Sequence, residues 1–261
     1  MIAALNQSAC QTDSAMGGSV TLMGAHSTHP AVLLDALGTL ISFEPPAPRL
    51  RLALRERLGI DVSLQDAEAA MRAEIAYYRQ HLHEGRDAAS LADLRSRCAA
   101  AMGPVLGVDV PVEALLDALH FFAYPDVAPA LVELRAAGFR LVVVSNWDHS
   151  LHERLHQTGL AELVDGALAS AEVGSAKPDG AIFAAALELA GTGDAWHVGD
   201  TVEADVQGAI DAGLRPVLIV RNVARGPNLR GRRAKPVSAK TLANVPVIDS
   251  LAALLPLVSP R

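Results

Sequence analysis

The chain has 261 residues, 51% of them hydrophobic, and a formal net charge of −7; that suits one large α/β domain, or a core with an inserted lobe, and argues against a general nucleic-acid binder. No apolar run reaches the roughly 20 residues of a membrane-spanning helix, and no Lys or Arg precedes His29 to form a secretory leader's charged start, so a cytoplasmic protein without membrane partners is expected. The two cysteines, Cys10 and Cys98, have no metal-binding spacing and imply neither a disulfide framework nor redox chemistry.

In chain order, residues 1–29 are rich in Ser, Gly, Ala and Gln without apolar periodicity and read as a disordered extension, or as a start set too far upstream. The first firm element is "AVLLD", a short apolar run ending at Asp35, expected as a strand buried on both faces. The three prolines of "EPPAP" read as a break. The stretch that follows, to about residue 124, has helical pattern without convincing strands, an inserted helical lobe. Within it Ser63 and Asp66 have capping-box spacing. Leu64, Met71, Ile75, Tyr78 and Leu82 then recur at helical intervals and should form the lobe's core.

From "AYPDV" the pattern alternates. A helix over "APALVELRAAG" ends at Gly138, and the strand "RLVVVSN" follows. A helix from about His149 to Thr158 leads to the strand "GALAS", and a helix over Gly180–Ala190 leads to the strand "AWHVGD". The helix "ADVQGAIDAG" and the strand "PVLIV" come next. The basic stretch from Arg221 to Lys240 reads as a solvated loop, with an anion-attracting rim as the alternative, and "VPVID" and an apolar helix close the chain. Repeated β-α units predict a doubly wound parallel sheet with right-handed crossovers. Ligands in such sheets bind beyond the carboxyl ends of the strands, near a topological switch point.

Four short motifs fall at those ends. Asp35, followed by Gly38 and Thr39, presents a carboxylate beside a permissive turn; it is a candidate nucleophile, since an acyl phosphate splits one hard displacement into two, or else a turn or cap residue. Ser145 and Asn146 sit where a hydroxyl and neighbouring backbone N–H groups can hold phosphate oxygens, or else where a helix begins, and Asp148 is the expected cap of the next helix. Lys177, held out of helix by Pro178, is a loop cation able to offset a phosphate dianion, or a plain surface lysine; Asp179 should cap the helix beyond. Asp200 ends a strand and Asp205 lies one turn into the next helix. Two carboxylates at adjacent strand ends repel unless a hard cation lies between them, and Mg²⁺ suits oxygen ligands. His197 is expected in the core or behind the site.

The order strand-Asp-Gly-Thr, strand-Ser-Asn, loop-Lys-Pro, strand-Gly-Asp with a second Asp five residues on, with "SNWD", "SAEVGSAKPDGAIF" and "HVGD", resembles the haloacid dehalogenase (HAD) superfamily of hydrolases, in the subgroup with a helical cap inserted after the first motif. The resemblance extends from Val32 to Val220. It implies a Rossmann-like α/β core over residues 30–43 and 125–261 and a cap over 44–124. It also implies Asp35 as nucleophile and Mg²⁺ ligand, the Leu37 carbonyl, Asp200 and Asp205 as further metal ligands, and Ser145 and Lys177 as the phosphate-binding pair.

One position departs from that pattern. The family's phosphatases have an aspartate two residues after the nucleophile, to protonate the leaving group and activate water; here Leu37 stands there. General acid–base catalysis is worth roughly 10²–10⁴-fold. The expected function is therefore a Mg²⁺-dependent hydrolase of a small phosphorylated metabolite, monomer or homodimer, restricted to good leaving groups or helped by a residue of the cap, such as Tyr77 or His81. The alternatives are a catalytically weak phospho-ligand or partner-binding protein, and a 2-haloacid dehalogenase.

Overall fold

The computed structural model describes residues 29–221 and 244–259. The expected N-terminal extension and the basic stretch lie outside the described residues, except for His29 and Arg221.

The main sheet begins with β1, Ala31–Leu34, whose four residues are fully buried. Beside it lie β4 (Arg140–Ser145), β5 (Gly166–Ala169), β6 (Ala195–Gly199), β7 (Arg215–Ile219) and β8 (Val247–Ile248). All pair in parallel, in the spatial order β5-β4-β1-β6-β7-β8. Side chains alternate across β1 with the two-residue period of a strand. Val32 and Leu34 join Leu131, Leu141 and Val143 on one face, while Leu33 joins Val142, Ile182 and Phe183 on the other. After β1 the chain builds outward through β4 and β5, then crosses back to place β6 on β1's other side. The switch point thus lies between β1 and β6, above Leu34, Val143 and Val198, which sit side by side in register.

Two short strands, β2 (Ile41–Phe43) and β3 (Phe121–Ala123), pair antiparallel and carry the chain out to the helical lobe and back. They were not expected, because three-residue strands are too short to show a period. The "EPPAP" prolines do not end structure; they open α1, Pro46–Leu58. A helix's first N–H groups have no intrahelical partner, so prolines are tolerated there and their fixed φ favours initiation. The lobe continues with α2 (Leu64–His81), α3 (Ala88–Leu106) and α4 (Val112–Ala118). Its apolar cluster includes Leu50, Leu54, Met71, Leu94, Met102 and Leu115.

Ser63 caps α2 as expected, its Oγ accepting from the Asp66 N–H at 3.0 Å. The apolar stripe is only partly the lobe's core. Ala67, Ala70, Met71 and Glu74 are buried along α2, whereas Leu64 is 43% exposed, and Ile75, Tyr78 and Leu82 border a cavity facing the sheet.

Behind the sheet ends come α5 (Val127–Ala136), α6 (Leu151–Gln157), the single turn α7 (Ser170–Val173) and α8 (Gly180–Ala190). Asp179 caps α8 through the Ala181 N–H at 2.9 Å. The helix expected over "ADVQGAIDAG" starts as a wide π-type turn, Val202–Gln207, before α9 (Gly208–Asp211); α10 (Leu255–Val258) ends the described chain.

Candidate active site

The strand ends at the switch point bring the predicted residues together. Asp35 leaves β1 with its N–H bound to the Val198 carbonyl of β6 at 2.9 Å. Its Oδ1 accepts from Lys177 Nζ at 2.7 Å and from Ser145 Oγ at 3.1 Å, and its Oδ2 faces Thr39 Oγ1 at 3.4 Å. Lys177 Nζ also donates to Asp205 Oδ1 at 2.6 Å. Asp205 is a hub, accepting in addition from His197 Nε2 at 3.0 Å and from the Thr201 N–H at 2.9 Å. The π-type turn is what points it back beneath β6.

Asn146 reaches the site, but its amide is engaged by the lysine loop: Nδ2 donates to the Lys177 carbonyl at 2.9 Å and Oδ1 accepts the Lys177 N–H at 2.8 Å. It fixes where Lys177 starts. Arg221, the first residue of the basic stretch, pairs with Asp126 at 2.6 Å and donates to the Thr39 carbonyl at 2.6 Å, so it braces the turn after Asp35 from behind.

The glycines show how tightly this is built. Gly38 has φ +87°, and a Cβ there would stand 2.5 Å from Asp200 Oδ2. A Cβ on Gly199 would stand 2.1 Å from Asp205 Cγ. Both acidic groups occupy space that only glycine leaves open.

Asp35, Lys177, Asp205 and His197 are all buried. Burial disfavours the charge on Lys177, but Asp205 and Asp35 outweigh it and its pKa is raised. Burial also pushes the Asp35 carboxyl up, against the pull of Lys177 and with the push of Asp205. For Asp205 burial is overcome by Lys177 and His197, and its pKa is lowered. His197 is lowered mainly by burial, which suits a neutral ring donating Nε2–H to Asp205. One lysine therefore faces Asp35 and Asp205, with Asp200 adjoining. Asp35, Asp200 and Asp205 each offer an oxygen, and these lie within 4.8 Å of one another. The all-oxygen donor set and its surplus of negative charge fit a hard divalent cation.

Leu37 borders a cavity of about 270 Å³ between the strand ends and the helical lobe. Its walls are mostly apolar, among them Phe43, Ile75, Leu82, Leu119, Phe121 and Trp147, and Asn146 also lines it. Tyr77 and His81 do not; they stack on each other at 4.2 Å, with Tyr77 Oη taking an Arg97 N–H and His81 meeting Glu84. The polar groups at the cavity are others. Asp148 does cap the approach to α6, accepting from the Ser150 N–H at 2.8 Å, but it is also buried against the cavity, and burial raises its pKa. Glu74, 5% exposed, was missed by sequence reading, although it shares Met71's helix face. Cys98 is inert, its thiol pushed up to about 12, chiefly by burial.

Burial lifts the Glu74 pKa from 4.5 to about 7. A carboxyl raised in the fold favours folding while protonated, so wild-type stability should fall between pH 4.5 and about 7 and stay lower above. Glu74→Gln should remove that slope and gain about 3 kcal/mol at high pH. Urea unfolding of both proteins near pH 5 and pH 8 checks this; an equal gap at both values would count against it.

A family model described as haloacid dehalogenase-like hydrolase matches residues 29–213. The chain spans about half the length, or less, of the curated relatives it matches. One relative is a phosphoserine phosphatase of Thermus thermophilus, 38% identical over 38% of this chain and 41% of that protein. Among solved structures, a HAD phosphatase from Thermococcus onnurineus is 27% identical, with TM-score 0.58, over 88% of this chain and 98% of that one. A 2-haloacid dehalogenase from Pseudomonas syringae is 26% identical, with TM-score 0.55, over the same shares. The family match covers β1, the helical lobe and every strand end that carries a site residue, so the parallel α/β core and its buried Asp-Ser-Lys-Asp cluster place the chain among the haloacid dehalogenase-like hydrolases.

Proposed function

We propose that the chain is a Mg²⁺-dependent phosphomonoester hydrolase acting through an acyl phosphate on Asp35, on small substrates whose leaving group departs without a donated proton. The observation that carries this reading is the pairing of a buried Asp35-Ser145-Lys177 cluster with Leu37 on the wall of a mostly apolar cavity, which Glu74, Arg79, Arg95, Asp148 and Arg154 also line. Asp35, Asp200 and the Leu37 carbonyl would hold the ion. Asp205, whose oxygens already take Lys177, His197 and the Thr201 N–H, acts behind them. A bound Mg²⁺ would supply positive charge against the carboxylates and the phosphoryl oxygens.

In the reaction a carboxylate oxygen of Asp35 forms a bond to phosphorus as the ester P–O bond breaks, and the leaving group departs as its oxyanion. Lys177 and the Ser145 hydroxyl hold phosphoryl oxygens and keep Asp35 aimed. Water then attacks the acyl phosphate, restoring Asp35 and releasing inorganic phosphate. Residues 44–124 act as the cap, whose largely apolar wall keeps bulk water from the leaving group. That wall suits an aryl or enol oxygen better than a sugar hydroxyl. The acidic residues Asp200 and Asp205 favour phosphoryl transfer over carbon–halogen cleavage, which has no use for a cation site.

Phosphate release from an aryl and an alkyl phosphate, with and without Mg²⁺, tests the reading. Wild type should prefer the aryl ester, and Leu37→Asp should raise alkyl-ester turnover selectively, by up to about 10²-fold, the lower end of what acid–base catalysis contributes. An equal change on both esters would refute the leaving-group argument. Absence of release from either ester would leave the phospho-ligand-binding alternative, and halide release from a 2-haloacid would establish dehalogenation.

A further inference from the structure

A second group of potential metal ligands lies at the same edge of the sheet and shares no residue with the Asp35 cluster. His149, in the turn that follows β4, and His152, in the first turn of α6, both aim a ring nitrogen at Glu172 of α7. His149 Nδ1 lies 2.5 Å from Oε1, and His152 Nε2 lies 3.0 Å from both carboxylate oxygens. The ligand atoms of all three residues lie within 4.8 Å of one another.

We propose that His149, His152 and Glu172 form a binding site for a divalent transition-metal ion of the Zn²⁺ class, with a fourth position open to solvent. Two imidazoles and one carboxylate are a borderline-soft donor set that favours Zn²⁺ over Mg²⁺ or Ca²⁺. Ligand atoms about 2.0–2.2 Å from a tetrahedral zinc stand roughly 3.3–3.6 Å apart, so ring rotations that widen the present 2.5 and 3.0 Å separations from Glu172 would open room for an ion between atoms that already lie within 4.8 Å of one another. The side chains are 39%, 42% and 22% exposed, which gives the ion an entry path and leaves room for water as fourth ligand.

The frame is pre-built by contacts that do not involve the three side chains. The Trp147 N–H binds Ser170 Oγ at 3.1 Å, and the Ala171 N–H binds the Trp147 carbonyl at 3.1 Å. These lock the turn after β4 onto α7. The His149 N–H binds the Gly85 carbonyl of the lobe at 2.8 Å. An ion here would therefore tie together the turn carrying Ser145 and Asn146, the segment leading to Lys177, and the lobe at Gly85.

The test is zinc uptake by the full chain, stripped with chelator and then dialysed against Zn²⁺ in excess Mg²⁺, with Co²⁺ absorption reporting coordination. Wild type should take up about one ion per chain, with the intense visible bands of tetrahedral Co²⁺, and its thermal midpoint should rise. His152→Gln should weaken uptake more than the 10- to 100-fold typical of losing a mere outer partner. The isosteric Glu172→Gln, which preserves shape, should do the same if the histidine variant folds poorly. Absence of uptake by wild type overturns the proposal. So does uptake that survives both variants, which would place the metal on other residues such as Cys10 or His26.

Discussion

Asp35→Asn is expected to lower phosphate release by about 10⁴-fold or more, the loss typical of removing a covalent nucleophile, while leaving the fold as stable as wild type or more so. The two effects share one cause. Asp35 is 7% exposed and faces Asp205 across a single lysine, and burial pushes its carboxyl up. A carboxyl raised in the fold destabilises it progressively as pH rises above the ordinary 3.8, so an ionised Asp35 carries a cost that asparagine does not. Asparagine keeps the shape and still accepts from Lys177 and Ser145 through its amide oxygen, but it has no charge to bury. Lys177 retains Asp205 as counter-ion. Thermal unfolding without divalent cations should therefore show the variant melting at or above wild type, and Mg²⁺ should narrow the gap by stabilising the wild type more. A variant that melts several degrees lower, or that still releases phosphate, would refute the assignment of Asp35 as a charge-strained nucleophile.

Part of the site was legible because three of its residues sit where an apolar run stops. Asp35, Ser145 and Asp200 could be placed at strand ends from "AVLL", "LVVV" and "WHVG" alone, and parallel pairing then required those ends to meet. The hub role of Asp205 was not legible. Its spacing from Asp200 is that of an ordinary helical turn, and only the π-type turn, with Gly199 lacking a Cβ, aims it at Lys177 rather than outward. The strand end suggests Ser145 and Asn146 as a place for phosphate oxygens but does not reveal what the Asn146 amide bonds, because its partner, the backbone of Lys177, lies 31 residues away in sequence. The α2 stripe was misjudged because helical spacing shows which residues share a face, not whether that face meets another helix or a cavity. Glu74 on that same face was the available clue that part of α2 borders something other than a plain core.

Lys177→Met should damage stability and turnover together, in contrast to Asp35→Asn. Among the described residues its ammonium is the one cation bonded to both of these carboxylates, 2.7 Å from Asp35 and 2.6 Å from Asp205, and its side chain is 2% exposed. Methionine fills similar volume, so the loss is electrostatic rather than a cavity. Removing one partner of a buried pair costs roughly 3–5 kcal/mol because the other charge is left uncompensated. Here two are left, although Asp205 keeps His197 and the Thr201 N–H. The lysine pKa is raised, so its contribution is fully present below its ordinary 10.5 and disappears only at still higher pH; the deficit of the variant should accordingly be flat from about neutrality to pH 9 in urea unfolding. Adding Asp35→Asn to Lys177→Met removes one stranded carboxylate and should restore part of the lost stability, a non-additivity of 0.5–3 kcal/mol being usual for residues in contact. It cannot restore turnover, since nucleophile and phosphate ligand are then both gone. Strict additivity of the two changes in stability would mean that the two charges are not coupled, and that Lys177 holds the site by packing alone.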